Sequence, residues 1–148
     1  MLLSDSFAPR LSAYYATLGV ATGFGMPFFP LWLEYKGLNA AEIGIVLAAP
    51  MVVRIVCVPL ATRLADRANA LRAAIMIGAV GAVVGHALIG LSNGFLPILV
   101  CIALAAVFFT PGYPLTDAYA LRGLADRKLA YGSIRLWASA AYIAAIHL

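Results

Sequence analysis

Three ionisable side chains, Arg54, Asp117 and Arg135, lie inside long runs of Ala, Val, Ile, Leu and Phe. A charge at membrane depth is expensive, so such groups face a cavity, pair with one another or take backbone carbonyls. Asp117 completes a stripe with Thr110 and Tyr113, spaced three and four residues apart, which is one face of a helix. Arg135 opens a second stripe with Ser139 and Tyr142, spaced four and three. Folding the chain back about position 126 sets Asp117 opposite Arg135, Tyr113 opposite Ser139 and Thr110 opposite Tyr142. Two antiparallel helices would then share one polar seam with its charges at the cytoplasmic end. Such a seam either contacts a solute or proton, or only ties the helices together by hydrogen bonds. Arg54 allows the same two readings: a structural arginine satisfied by an ion pair or carbonyls, or a cavity-lining arginine that attracts an anionic group. It precedes Arg63 by nine residues, roughly 13 Å along a helix, too deep for easy snorkelling to the interface.

The elements that must position these groups follow from composition. The chain has 148 residues, 64% hydrophobic and 11% charged, where a soluble domain carries about 25% charged residues. A chain this short could not hide that much apolar surface from water. The fold class is therefore all-α, a polytopic helical membrane protein. A spanning helix needs about 20 apolar residues, and the sequence offers spans at about 11–33, 41–62, 73–91 and 95–121. A fifth begins near 131 and is still apolar at 148, which reads as an interrupted span of a longer protein. Residues 1–148 are thus expected to form an incomplete half-bundle.

Loop charges set the orientation. Arg10, Arg63, Arg67, Arg72, Arg122, Arg127 and Lys128 fall on one side, and only Lys36 on the other. The positive-inside rule places the N-terminus and the 63–72 and 122–128 loops in the cytoplasm, as in a multi-pass protein of the inner (plasma) membrane. The net charge of +4 is an orientation signal and gives no reason to invoke nucleic acid, since the basic residues are split among short loops.

Span one contains Met26-Pro27-Phe28-Phe29-Pro30 and span four Thr110-Pro111-Gly112-Tyr113-Pro114. Proline removes a backbone donor and loosens a helix. In transporters, interrupted helices at corresponding positions of internal repeats mark the binding site. Tyr14, Phe28, Thr110 and Tyr113 are accordingly expected to line a solute path. Gly78, Gly81 and Gly85 make a small-residue seam on span three. His86 beside it reads as a packing residue, and Cys57 and Cys101 as small buried ones. No metal-ligand spacing, cofactor motif or catalytic constellation is present, so neither metal, cofactor nor enzymatic activity is expected.

Four stretches carry a family resemblance: Met26–Leu33, Gly37–Gly44 with Arg54 beyond it, Pro114–Leu121 with Asp117, and Tyr131–Ser139 with Arg135. On these the chain resembles the major facilitator superfamily, and within it the phenylpropionate:proton symporter family. Leu64-Ala65-Asp66-Arg67 resembles the core of that superfamily's motif between spans two and three, with Thr62 where glycine is usual and the following Gly-Arg-Arg absent. The resemblance implies twelve spans in a complete protein, a central cavity between two six-helix halves, alternating access and proton coupling. The chain is also similar, more distantly, to lactose permease, where an acid on span four and an arginine on span five, with the 18-residue separation of Asp117 and Arg135, contact the sugar.

The expectation is a secondary active transporter, with proton-coupled uptake of a small organic solute: an aromatic acid such as phenylpropionate, a nucleoside or a saccharide. Its partners would be the solute, the proton, the bilayer and a C-terminal half of the same protein. The rival class is a small non-transport membrane protein, an assembly factor or membrane-bound enzyme. A four-helix multidrug exporter is a further rival, but it would carry an acid in span one, and there is none.

Overall fold

The structure is a computed structural model that describes residues 7–125 and 131–147. Arg127 and Lys128, part of the orientation signal, lie outside the described residues. Six helices follow in order: α1 (Phe7–Tyr35), α2 (Ala40–Arg67), α3 (Leu71–Leu91), α4 (Phe95–Phe109), α5 (Gly112–Ala125) and α6 (Tyr131–Ile146). No strand occurs among the described residues. Three stretches are long and apolar enough to cross a membrane: α2, α3, and Phe95–Leu124, which joins α4 to α5. Phe7–Gly25 and Pro27–Tyr35, bent by 46° where they meet, make a fourth if taken as one broken span.

The breaks fall at the two proline–aromatic segments. At Thr110–Pro111 the α-helix is interrupted between α4 and α5. Pro111 and Pro114 cannot donate to the carbonyls four residues earlier, and each ring crowds the preceding turn. Hydroxyls bond the chain on either side. Thr110 Oγ1 donates to the Ala106 carbonyl and Thr116 Oγ1 to the Gly112 carbonyl, both at 2.7 Å. Pro50 and Pro59 sit within α2 without dividing it, so proline alone does not decide where a helix stops.

The chain divides into two units. Pro30–Tyr119 is one. Its first turn is fixed by local chemistry. Gly37 takes a positive φ of 84°, and the Leu38 N–H reaches back to the Leu33 carbonyl at 3.2 Å, a Schellman ending. Leu33 and Leu38 are both buried. Asn39 then caps α2: its side chain accepts from the Glu42 N–H at 3.0 Å, and Glu42 accepts from the Asn39 N–H at 2.9 Å, a capping box. The turn between α3 and α4, Ser92-Asn93-Gly94, is tied to the first. Lys36 Nζ donates to Asn93 Oδ1 at 2.7 Å and lies 5.2 Å from the Trp32 ring centre.

Within this unit α3 and α4 approach to backbone contact. A Cβ at Gly85 would lie 2.7 Å from Cα and Cβ of Ala105, one at Gly81 would overlap the Phe108 ring, and one at Gly78 would lie 3.1 Å from the Phe108 carbonyl. The glycine seam thus works as expected for close helix association, where dispersion and not water drives packing. His86 bonds its own helix, Nδ1 to the Ala82 carbonyl at 2.7 Å, with its ring edge-on to Phe109. Both are packing roles.

Met1–Phe29 with Ala120–Leu148 is the other unit. α1 buries Leu11, Tyr15 and Leu18, spaced as one helix stripe. A Cβ at Gly19 would overlap the Ala138 carbonyl, and one at Gly23 would lie 2.6 Å from the Tyr142 carbonyl and 3.0 Å from Ala145 Cβ. The register rises together on both helices, so α1 and α6 run parallel. Gly123 of α5 approaches the Phe7 ring.

Candidate functional site

Each unit positions part of the expected site. In Pro30–Tyr119, Arg54 sits 14 residues after Ala40 and 13 before Arg67, about 20 Å from either end of α2. That is the middle of a bilayer-length helix, and the side chain is exposed. Its helical neighbours Pro50, Cys57 and Val58 are half-buried, so Arg54 borders the packed stripe of α2. The opposite, apolar face of Ile55 and Val56 is 74% and 65% exposed.

Thr110, Tyr113 and Asp117 are half-buried on the broken span. The Thr110 hydroxyl gives its proton to the Ala106 carbonyl, which leaves the oxygen to accept from a ligand. Tyr113 and Asp117 follow on α5, one turn apart. Next to Asp117, Thr116 is 1% exposed. The helix is anchored there by a small core of Ala65, Leu71 and Leu115, with Ala74, Ile75, Ala118 and Tyr119 packed on it. The turn from α2 to α3 therefore grips α5 on both sides of Asp117 in sequence. Sequence reasoning missed this contact, although Leu115, Ala118 and Tyr119 have the three-and-four spacing of a second face.

In the other unit lie Tyr14, Phe28, Arg135, Ser139 and Tyr142. Contacts of Gly19 with Ala138 and of Gly23 with Tyr142 set Tyr14 level with Ser133, roughly 3 Å along the axis from Arg135. Tyr14 and Tyr142 are half-buried, while Arg135 and Ser139 are exposed. The Arg135 guanidinium lies 5.9 Å from the Tyr131 ring centre, one turn earlier on α6. Phe28 pairs with Phe24 at 5.0 Å between ring centres. Phe24, 58% exposed, was not singled out from sequence, although its spacing of four from Phe28 carries the signal. The expected Asp117–Arg135 pair has one member in each unit.

Long apolar helices joined by short turns, with charged and hydroxyl side chains at mid-span, define a polytopic α-helical membrane protein. Residues 10–148 match the model of the MFS_1 like family, and the chain belongs to that family, within the major facilitator superfamily. Its helices fit the N-terminal part of that fold. The chain is 34% identical over 137 residues to the "Probable 3-phenylpropionic acid transporter" of Escherichia coli (strain K12), covering 90% of this chain and 35% of that protein. It thus spans about a third of that relative's length. No solved structure matches the chain.

Proposed function

We propose that the chain forms most of the N-terminal half-bundle of a secondary active transporter that takes up a small organic solute with protons by alternating access. The observation that carries this reading is the exposed Arg54 at mid-depth of α2. A guanidinium there needs an ion pair, backbone carbonyls, an anion or water, and a solute cavity supplies the last two. The broken span bearing Thr110, Tyr113 and Asp117, and the parallel pair bearing Tyr14, Arg135, Ser139 and Tyr142, supply further polar groups. The similarity to a probable 3-phenylpropionic acid transporter favours an aromatic acid, with the carboxylate directed at Arg54 or Arg135 and the ring at Phe28. Asp117 and Arg135 then serve as charged groups that exchange a proton or a solute contact as the cavity opens. The N-terminus and the 63–72 loop face the cytoplasm, in the inner membrane, and the remaining half of the cavity comes from the C-terminal half of the same protein.

Uptake of labelled phenylpropionate, a nucleoside and a saccharide by the full-length protein, with and without an imposed pH gradient, tests the reading. Accumulation of the aromatic acid that collapses with the gradient is the expected result. Equal uptake of all three at the level of empty cells would refute transport of these classes.

A further inference from the structure

We propose that α3 splints the broken span, and that Gly78 and Gly81 on it are positioning residues for Thr110 and Tyr113. Between α4 and α5 the backbone does not fix its own course. Pro111 and Pro114 have no N–H, so the carbonyls of Val107 and Thr110 lose their helical donors. Two ladder bonds are missing within one turn, and the angle there depends on what each half packs against. Both halves pack against α3, which carries no proline and runs unbroken from Leu71 to Leu91. On the α4 side, Gly85 meets Ala105 and the Phe108 ring lies over Gly81. The Phe108 carbonyl stands 3.1 Å from where a Cβ of Gly78 would be. On the α5 side, Leu71 shares a buried core with Leu115, and Ala74 and Ile75 of α3 and Ala118 and Tyr119 of α5 pack on it. Positions on α3 fall from 85 to 71 as those on the broken span rise from 105 to 119, so one antiparallel register crosses the break.

The break has a packed side and a polar side. Pro111, Gly112, Leu115 and Thr116 are buried, and at 3.6 residues per turn they lie opposite the stripe of Thr110, Tyr113 and Asp117. Ala105 and Phe108 continue the packed side into α4. α3 therefore backs the polar stripe, although it holds none of the residues assigned to the solute. A displacement at Gly78 or Gly81 is passed through Phe108 to Thr110, two residues on, and to Tyr113 beyond the break. At Gly78 a Cβ would require the Phe108 carbonyl to give by about 0.3 Å, since ordinary contact begins at 3.4 Å. At Gly81 a Cβ would overlap the root of the Phe108 ring. Binding groups must be held to within about 0.5 Å, so Gly78→Ala is a graded change and Gly81→Ala a severe one. The role of Thr110 and Tyr113 rests on the transport reading; the splint itself does not.

The test uses the full-length protein and two readouts. In a background without native cysteines, spin labels at Leu96 and Leu121, near the two ends of the span Phe95–Leu124, read its course whether or not solute moves. Gly81→Ala should displace the label-to-label distance, Gly78→Ala should do so to a lesser degree, and Phe108→Leu added to Gly81→Ala should return it towards the wild-type value. Uptake of labelled phenylpropionate reads the consequence. KM should rise about threefold in Gly78→Ala and about tenfold in Gly81→Ala, as for weakening or losing one hydrogen bond to the solute. Maximal velocity per transporter in the membrane should hold. A merely structural seam would instead lower the amount of transporter and leave KM where it was. An unchanged distance in both glycine variants overturns the splint, with or without transport. A changed distance with wild-type KM overturns the positioning of Thr110 and Tyr113. An absence of uptake by the wild type refutes phenylpropionate transport, and the distance then decides the splint by itself.

Discussion

Substituting Gly85 by alanine isolates the energy of the α3·α4 approach. The new Cβ would stand 2.7 Å from the backbone Cα of Ala105, and ordinary contact begins at 3.4 Å. The helices must part by the difference, about 0.7 Å, and the obstacle is backbone, which has no rotamer to yield. Overpacking of this kind costs about 1–3 kcal/mol. Alanine also gains up to about 1 kcal/mol over glycine in a helix, which would blur the result. Gly90 on the same helix removes the ambiguity, because a Cβ there meets nothing within 4 Å. Much of the propensity gain is shared, although Gly90 lies in the last turn of α3, so the difference between Gly85→Ala and Gly90→Ala is chiefly the packing cost. Reversible unfolding of the full-length protein in mixed micelles should place Gly85→Ala about 1–3 kcal/mol below Gly90→Ala. Two variants within about 0.5 kcal/mol of each other would mean that α3 and α4 do not meet at Gly85.

Three further outcomes follow from the geometry. In a background lacking Cys57 and Cys101, single cysteines in the 63–72 loop should resist an impermeant thiol reagent applied to intact cells, and a cysteine at Glu34 should react; the reverse pattern would invert the topology. The double variant Asp117→Asn with Arg135→Gln removes both charges and so avoids the uncompensated charge that either single change leaves; it should reach the membrane but fail to accumulate solute, and normal accumulation would leave these residues a structural role only. A double-mutant cycle of Lys36→Met and Asn93→Ala should give a coupling of about 0.5–1 kcal/mol, as befits a charge-assisted bond at an exposed site; additivity of the two changes would show that the turns are not tied.

The helices were legible because lipid imposes one rule on every segment: apolar for about 20 residues, with all backbone groups satisfied internally. Both helix breaks were legible as well, since the missing donors of Pro27, Pro30, Pro111 and Pro114 are a local matter. The glycines of α3 announced a close neighbour, and Phe108 and Ala105 proved to be the residues in contact. Gly19 and Gly23 on α1 have the same small-residue spacing, and Ala138 and Tyr142 are the residues in contact. Partners far apart in sequence were not legible. Nothing in the environs of Lys36 indicates Asn93, 57 residues on, nor does Leu115 indicate Ala65. These depend on which helices become neighbours, and in a membrane nearly every face is apolar enough to serve. Arg54 was legible as an anomaly, since a charge at mid-span stands out in any apolar helix.

The glycine seams also set a timetable. Gly85 and Ala105 are 20 residues apart, whereas Gly19 and Ala138 are 119 apart. At a synthesis rate of about 5–20 residues per second, the α3·α4 seam can close within roughly 1–4 s of its first half being made. The α1·α6 seam waits roughly 6–24 s. Through that interval α1 sits in the bilayer with its glycine face open. Any early partner, a translocon wall or a second nascent chain, has that long to compete for it, so a slowed ribosome between codons 23 and 138 would penalise the assembly of α1 far more than that of α3.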